Sequence, residues 1–358
     1  MLIIIEIIRS KLYWYLMKSV FITGGAGFIG SSAAEFFAKK NWNVYILDNL
    51  SRRGARINLK RIRHKIKEFY LEDIKNFKKL NHILKKIKPD VIIHSAGQVA
   101  VTKSIVSPRE DFNDNVLGTL NLLEVIRINK LNSKLIYTST NKVYGNLNYI
   151  KLGKNKERYF FKNLKKGINE NFNTDFHSPY GCSKGAADQY VNDYSRIYNI
   201  DGYVLRQSCV YGTNQFGIED QGWVSWFIIA SVLKKRFKVY GDGKQVRDIL
   251  HIDDLNNLYF KIASYKKKFK GNRIFNVGGG SKFSLSLLEL LKILKKDRRL
   301  KLRYSYHKER KGDQKIFISD NSRITKNFKW SPKIDQIKGT KALIDWVIKN
   351  KKIVSSII

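Results

Sequence analysis

Thr23-Gly24-Gly25-Ala26-Gly27-Phe28-Ile29-Gly30 decides how this chain reads, because it joins a short apolar run, Val20-Phe21-Ile22, to a stretch of helical period at 31–40. Strand, glycine turn and helix in that order open a parallel sheet of the dinucleotide-binding kind. Gly24 permits the tight turn. Gly27 lets backbone approach a diphosphate, and Gly30 lets the helix lie close on the strand, with unpaired N–H groups at the helix start facing the phosphates. Glycines 24, 27 and 30 depart by one residue from the usual spacing. Glycines alone make a turn; their place between this strand and this helix is what favours a cofactor.

A second apolar strand at 44–47 ends on Asp48, 24 residues after Gly24. A carboxylate there can accept hydrogen bonds from an adenosine ribose and repel a 2′-phosphate, which favours NAD over NADP. Arg52 and Arg53 stand close by and could receive such a phosphate, or be plain surface charge. Asp73-Ile74 follows another strand and suits an adenine edge, although a helix N-cap accounts for Asp73 equally well.

Working outward, further buried-strand signals lie at 91–93, 135–137 and 203–205, separated by helical periods at 118–128 and 185–197. The alternation predicts an α/β fold, a Rossmann-type doubly wound parallel sheet with helices on both faces. Beyond about residue 205 the pattern is mixed, with a helix at 224–234, a strand at 237–240 and a helix near 285–294. The expected organisation is an N-terminal extension at 1–16, an NAD-binding domain at 17–204, and a smaller C-terminal substrate-binding lobe at 205–358, interleaved with the end of the sheet. Residues 151–173, rich in Lys and Asn, read as a surface loop.

With 358 residues and 43% hydrophobic content the chain can build a sizeable core. Its formal charge of +38 would suit nucleic acid, anionic membranes or anionic small substrates. Lysines are nevertheless scattered, in runs such as Lys234-Lys235-Arg236 and Lys266-Lys267-Lys268, without zinc-finger, zipper or aromatic RNA-binding spacing. A solvated surface is the reading, with no specific nucleic acid. Cys182 and Cys209 make neither a disulfide framework nor a metal-ligand spacing, so no metal is expected, and a reducing cytoplasm is. The apolar run in 1–16, interrupted by Glu6, is too short to span a bilayer and lacks the layout of a secretion signal, and no other segment approaches spanning length. No membrane insertion is expected, and Met17 is a candidate start.

Chemistry enters with Tyr180-Gly181-Cys182-Ser183-Lys184. Residues four apart share a helix face. A phenol normally titrates near ~10, and a neighbouring ammonium together with a positively charged nicotinamide would favour its phenolate, making Tyr180 a base. This spacing arises often by chance. Thr138-Ser139-Thr140-Asn141-Lys142-Val143-Tyr144-Gly145, at the end of another strand, supplies a hydroxyl that can hold a substrate oxygen as its proton leaves.

With these motifs the chain resembles the extended short-chain dehydrogenase/reductase family. The glycine turn, Asp48, His94-Ser95-Ala96-Gly97, Asn115, the 138–145 stretch and Tyr180/Lys184 occur in that family's order, from residue 17 to about 350. Ser95 departs from the apolar residue usual in its loop. The resemblance implies Thr140, Tyr180 and Lys184 as catalytic residues. Around NAD it implies Gly24, Gly27, Phe28, Ile29, Gly30, Asp48, Asn49, Ser51, Arg52, Asp73, Ile74, Ala96, Gly97, Gln98, Asn115, Ser139, Tyr180, Lys184 and Val210, with Asn115 also supporting the active-site helix. Substrate contacts fall on Thr140, Asn141, Gln221, Trp223, Arg247 and Arg310, the two arginines gripping a diphosphate; surface charge is the plain alternative for both.

Family members that dehydrate sugars carry Asp-Glu after the catalytic Ser/Thr, where this chain has Asn141-Lys142. Oxidation followed by reduction is therefore implied rather than loss of water. Longer stretches, 96–100, 139–145, 175–190, 220–224 and 243–248, are similar to family epimerases that invert C2 of a CDP-linked 3,6-dideoxyhexose through a transient 2-keto sugar. A homodimer or higher homo-oligomer is implied as well. The alternatives are a UDP-hexose 4-epimerase and, from another class, a non-catalytic protein binding nucleic acid or a membrane surface.

Overall fold

A computed structural model describes residues 17–266, 269, 271–310 and 314–358. The 1–16 extension, Lys267, Lys268 and residues 311–313, next to Arg310, lie outside the described residues.

Five strands come first: β1 (Ser19–Thr23), β2 (Asn43–Asp48), β3 (Glu68–Leu71), β4 (Val91–His94) and β5 (Lys134–Thr140). A short antiparallel hairpin follows, β6 (Leu152–Lys154) and β7 (Tyr159–Phe161). Next along the chain are β8 (Asp201–Gln207), β9 (Cys209–Tyr211), β10 (Arg236–Tyr240), β11 (Val246–His251) and β12 (Ile274–Val277). Seven of these form one sheet in the order β12-β8-β5-β4-β1-β2-β3, and every pairing in it is parallel. Val20, Phe21 and Ile22 in β1, and Ile92 and Ile93 in β4, have no solvent exposure, because helices cover both faces of the sheet. On one face the helix Phe28–Lys39 buries Ala33, Ala34 and Phe37, and Phe37 meets Trp42 edge to face at 5.0 Å. On the other, Leu122, Leu123 and Ile126 of the helix Gly118–Ile128 join Val191 of the helix Ser178–Ile197. The doubly wound α/β architecture expected from the sequence is the observed one.

Strand order reverses between β1 and β4, and loops leaving the carboxyl ends there diverge to opposite faces. Such a switch point opens a crevice. Past β8 the chain builds a second body. β13 (Ser284–Ser286), β14 (Arg303–His307) and β15 (Ile316–Phe317) complete two small sheets, β13-β11-β15 with β9 added to β11, and β10-β14. Their core gathers Phe227, Ile228, Phe237, Leu290 and Leu343. β12 returns to the main sheet, so this part of the chain is threaded through both bodies.

Residues 151–173 are not a plain surface loop. Besides the β6–β7 hairpin, the segment buries Ile168, whose N–H donates to the Ile318 carbonyl at 2.8 Å. Arg158 meets the Glu289 carboxylate with two N–H groups, at 2.7 and 2.6 Å. A few apolar pegs, Leu152, Phe161 and Ile168, anchor the segment within a lysine-rich background that hides the strand alternation.

Candidate active site

The turn after β1 is shaped by what it must pass. Gly24 lies at φ +65°, and a Cβ there would stand 2.7 Å from the Ala96 backbone nitrogen. A Cβ on Gly30 would lie 2.2 Å from the Gly24 carbonyl oxygen, so only glycine lets the Phe28–Lys39 helix begin so close to the turn. No side chain caps that helix start at Gly27. Its free N–H groups and the positive end of its dipole face the crevice and suit a diphosphate.

A cleft of about 400 Å³ runs along the carboxyl ends of β1, β2, β4, β5 and β8. Of the residues singled out from the sequence, it brings together the glycine turn with Phe28 and Ile29, Asp48, Asn49, Ser51, Arg52, Asp73, Ile74, Ala96, Gly97, Gln98, Ser139, Thr140, Tyr180, Lys184, Val210, Gln221 and Trp223. Asn115, Asn141, Arg247 and Arg310 are not in its lining. Asn115 lies buried behind the wall, where its amide donates to Ser183 Oγ at 3.0 Å in the helix that carries Tyr180 and Lys184. Asn141 is buried beside Thr140, and Arg247 donates to its neighbour's Val246 carbonyl at 2.8 Å. Arg310 pairs with Asp220 at 3.0 Å and lies 3.9 Å from the centre of the Tyr240 ring.

At one end of the cleft the Asp48 carboxylate closes β2. It accepts from the Ala26 N–H at 2.9 Å and the Leu50 N–H at 2.7 Å, and burial nevertheless raises its pKa. Its remaining lone pairs can take ribose hydroxyls. Asn49 donates to Asp73 at 2.9 Å, tying the ends of β2 and β3 together. Asp73 does not cap the following helix; Asn76 does, accepting from the Lys79 N–H. These residues suit NAD: a glycine-lined helix start for its diphosphate and a carboxylate for its adenosine ribose.

At the other end stand Thr140, Tyr180 and Lys184. Thr140 ends β5 opposite Gln207 of β8 and caps the short turn Asn141–Tyr144 by accepting from the Lys142 N–H at 3.3 Å. The helix Ser178–Ile197 enters through Pro179, whose missing N–H costs nothing at a helix start, and turns Tyr180 and Lys184 toward the strand ends. The Thr140 hydroxyl stands near that of Tyr180, where it favours the phenolate. Burial nonetheless pushes the Tyr180 phenol up to about 12, with Asp111 adding to the rise and the nearby Thr140 hydroxyl and the Arg52 cation opposing it. Lys184 donates to the Thr138 carbonyl at 2.6 Å and lies 4.3 Å from the centre of the Tyr137 ring. Burial draws its ammonium down to about 7, against the pull of Asp188 and Asp111. The lowered phenol expected from the sequence is thus not a property of the protein alone, since the charge on a bound nicotinamide belongs to the expectation and not to the chain.

Sequence reasoning passed over the groups that hold this trio. Asp188 accepts from Ser139 Oγ at 2.8 Å and from Arg206 Nε at 2.9 Å, and Arg206 also donates to Tyr144 Oη at 3.0 Å. Asp188 sits one helical turn past Lys184, a spacing that could have found it. Asp111, fully buried, accepts from Gln98 at 2.9 Å and from Ser183. His94 lies between Thr23 Oγ1 at 2.7 Å and Thr119 Oγ1 at 3.0 Å, kept neutral by burial, which draws it down to about 3. Cys209, given no role from the sequence, lines the cleft, whereas Cys182 is exposed.

Residues 20–278 match the sequence model of the NAD dependent epimerase/dehydratase family. The CDP-paratose 2-epimerase of Salmonella typhi is 44% identical over 335 residues, covering 91% of this chain and 98% of that protein. Among solved structures, the UDP-glucose 4-epimerase of Thermotoga maritima with UDP-glucose aligns at a TM-score of 0.79 with 27% identity, covering 93% of this chain and 99% of that one. The UDP-glucose 4-epimerase of Thermus thermophilus in complex with NAD aligns at 0.75 with 25% identity, covering 92% and 98%. With that likeness running through the parallel sheet, the glycine turn and the Thr140–Tyr180–Lys184 cleft, the chain belongs to the NAD dependent epimerase/dehydratase family.

Proposed function

We propose that the chain is an NAD-dependent nucleotide-sugar epimerase that inverts C2 of CDP-paratose, giving CDP-tyvelose. The observation that carries this reading is the 44% identity to a CDP-paratose 2-epimerase along nearly the whole of both chains.

In this reading the sugar hydroxyl lies between the Thr140 and Tyr180 hydroxyls. Thr140 orients its oxygen, and Tyr180 takes the proton as the carbon is oxidised and returns it as the carbon is reduced. Bound NAD supplies the hydride acceptor and, after oxidation, the hydride donor, without net consumption. The Gly24–Gly30 turn and the helix start at Phe28 hold its diphosphate, and Asp48 its adenosine ribose. Lys184, pinned at the Thr138 carbonyl, brings positive charge to the phenol's end of the cleft. Gln221 and Trp223 line the side that takes the substrate's nucleotide or sugar. Arg247 and Arg310 are assigned to the substrate diphosphate, Arg310 after exchanging its Asp220 partner. Asn141 and Lys142 stand where elimination of water would need carboxylates, so the keto sugar is reduced rather than dehydrated.

A UDP-hexose 4-epimerase is the second reading, favoured by the fold likeness to a UDP-glucose 4-epimerase crystallised with UDP-glucose. Incubation of the purified protein with CDP-paratose and, separately, UDP-glucose, followed by NMR of the sugar, decides between them. Conversion of CDP-paratose is expected, and turnover of UDP-glucose alone would overturn the assignment.

The chain is further proposed to act in the cytoplasm as a homo-oligomer. Among the described residues no helix is long and apolar enough to cross a membrane. Val106, Phe112, Tyr190 and Ile197, on three helices that pack against one another, are exposed apolar side chains that a second copy would cover.

A further inference from the structure

Two residues assigned to different ligands touch each other. Arg52, on the loop after β2 that leads from Asp48, donates through Nη2 to the Gln221 side-chain oxygen, 169 positions along the chain. Both line the cleft. Their loops meet twice more. Gly54, at φ +78°, lies under the Phe216 ring so closely that a Cβ would fall 2.2 Å from it. Asn58 reaches toward the Asn214 carbonyl at 3.5 Å. The cofactor loop and the substrate loop therefore meet at three points, as one strap with Arg52 and Gln221 in the cleft lining.

The Gln221 end of that strap is built rigidly. Ile218 and Gln221 exchange backbone hydrogen bonds, each 3.0 Å, forming a tight turn with Glu219 and Asp220 at its tip. Arg310 holds the tip through Asp220 at 3.0 Å, and the Tyr240 hydroxyl donates to Glu219 at 2.5 Å. Gly222, at φ +74°, then turns the chain into the helix Trp223–Val232, which places Trp223 in the cleft wall. Moving Arg52 moves this turn, and moving the turn moves Trp223. The Arg52 guanidinium also lies near enough to Tyr180 to oppose the rise of its phenol.

We propose that Arg52 and Gln221 are a positioning pair that couples cofactor retention to occupation of the nucleotide-sugar side of the cleft. The inference rests on the nucleotide-sugar reading. Its chemical need is plain: between oxidation and reduction the protein holds a keto sugar and a reduced cofactor at once, and loss of either ends the turnover. A pair that belongs to both loops makes departure of one ligand cost the hold on the other, which is a coupling free energy between two sites.

The test is a double-mutant cycle on full-length protein with Arg52→Ala, Gln221→Ala, the double variant and Arg52→Lys. Two quantities are read: the rate at which NAD is lost on dilution, followed by absorbance, and the affinity of NAD-loaded protein for CDP, with UDP in a parallel arm. Each single alanine variant should speed NAD loss and weaken nucleotide binding, both by roughly five-fold or more, as coupling between sites commonly gives. The double variant should be no worse than the poorer single one, and Arg52→Lys should recover part of both effects. Additive effects would overturn the pair. So would a split in which Arg52→Ala alters only NAD loss and Gln221→Ala only nucleotide affinity. If UDP binds and CDP does not, the proposed substrate falls while the cycle in NAD loss still judges the pair.

Discussion

Tyr180 and Lys184 sit in the cleft wall with both side chains shifted by burial toward their neutral forms, the phenol up to about 12 and the ammonium down to about 7. Tyr180→Phe should therefore abolish epimerisation and leave NAD bound, because the Thr140 hydroxyl and the cofactor cradle stay in place; activity and absorbance after desalting check the two halves. Lys184 also predicts a pH dependence of stability. Its folded pKa lies below the ordinary 10.5, so between about 7 and 10.5 the unfolded chain binds more protons and stability rises with pH. In cofactor-free protein Lys184→Met should flatten that rise, whose slope is at most about 1.4 kcal/mol per pH unit for one proton; urea melts from pH 7 to 10 measure it. An unchanged slope would contradict the burial of the ammonium. At this scale the meeting of Tyr180, Lys184 and Thr140 in one cleft was legible because a helix spacing and a strand end stand in the order of the family's motifs. Asp111, Asp188 and Arg206 were not, because their importance lies in partners 72, 49 and 18 positions away.

The Ser178–Ile197 helix is tied to the sheet by a buried ion pair, Asp188 with Arg206 of β8, which also reaches Ser139 on β5 and Tyr144. Removing one partner leaves the other charge buried and unpaired. Asp188→Asn is expected to cost about 3–5 kcal/mol of stability, the usual penalty for breaking such a pair, and to lower activity through Ser139 and the helix register. Denaturant melts and assays on the same preparation check it; a loss under 1 kcal/mol would show that Arg206 is satisfied by other groups. The strands of the main sheet were readable because parallel strands covered on both faces become short continuous apolar runs. The β6–β7 hairpin was not, because two three-residue strands leave too little alternation to stand out among lysines and asparagines. Asp73 illustrates a finer limit: a capping residue and its neighbour three positions on look alike until the turn between them is seen.

At the scale of the whole molecule, the reversal of strand order between β1 and β4 puts the glycine turn and the Thr140 and Tyr180 hydroxyls along one cleft, with the Arg52–Gln221 contact in its lining. The sheet and its crevice followed from the glycine turn and the strand–helix alternation, whereas the strap could not, since neither loop carries a signal for the other. Self-association is checked by light scattering: the native protein should measure above 41.7 kDa, and Val106→Glu with Ile197→Glu should return it to monomer. The most direct measurement for the chemistry follows CDP-paratose carrying deuterium at C2 in ordinary water. Oxidation and reduction of one carbon within one closed cleft predict CDP-tyvelose with the deuterium still at C2. Loss of the label to solvent would mean that the proton on C2 is removed instead, and would contradict the account.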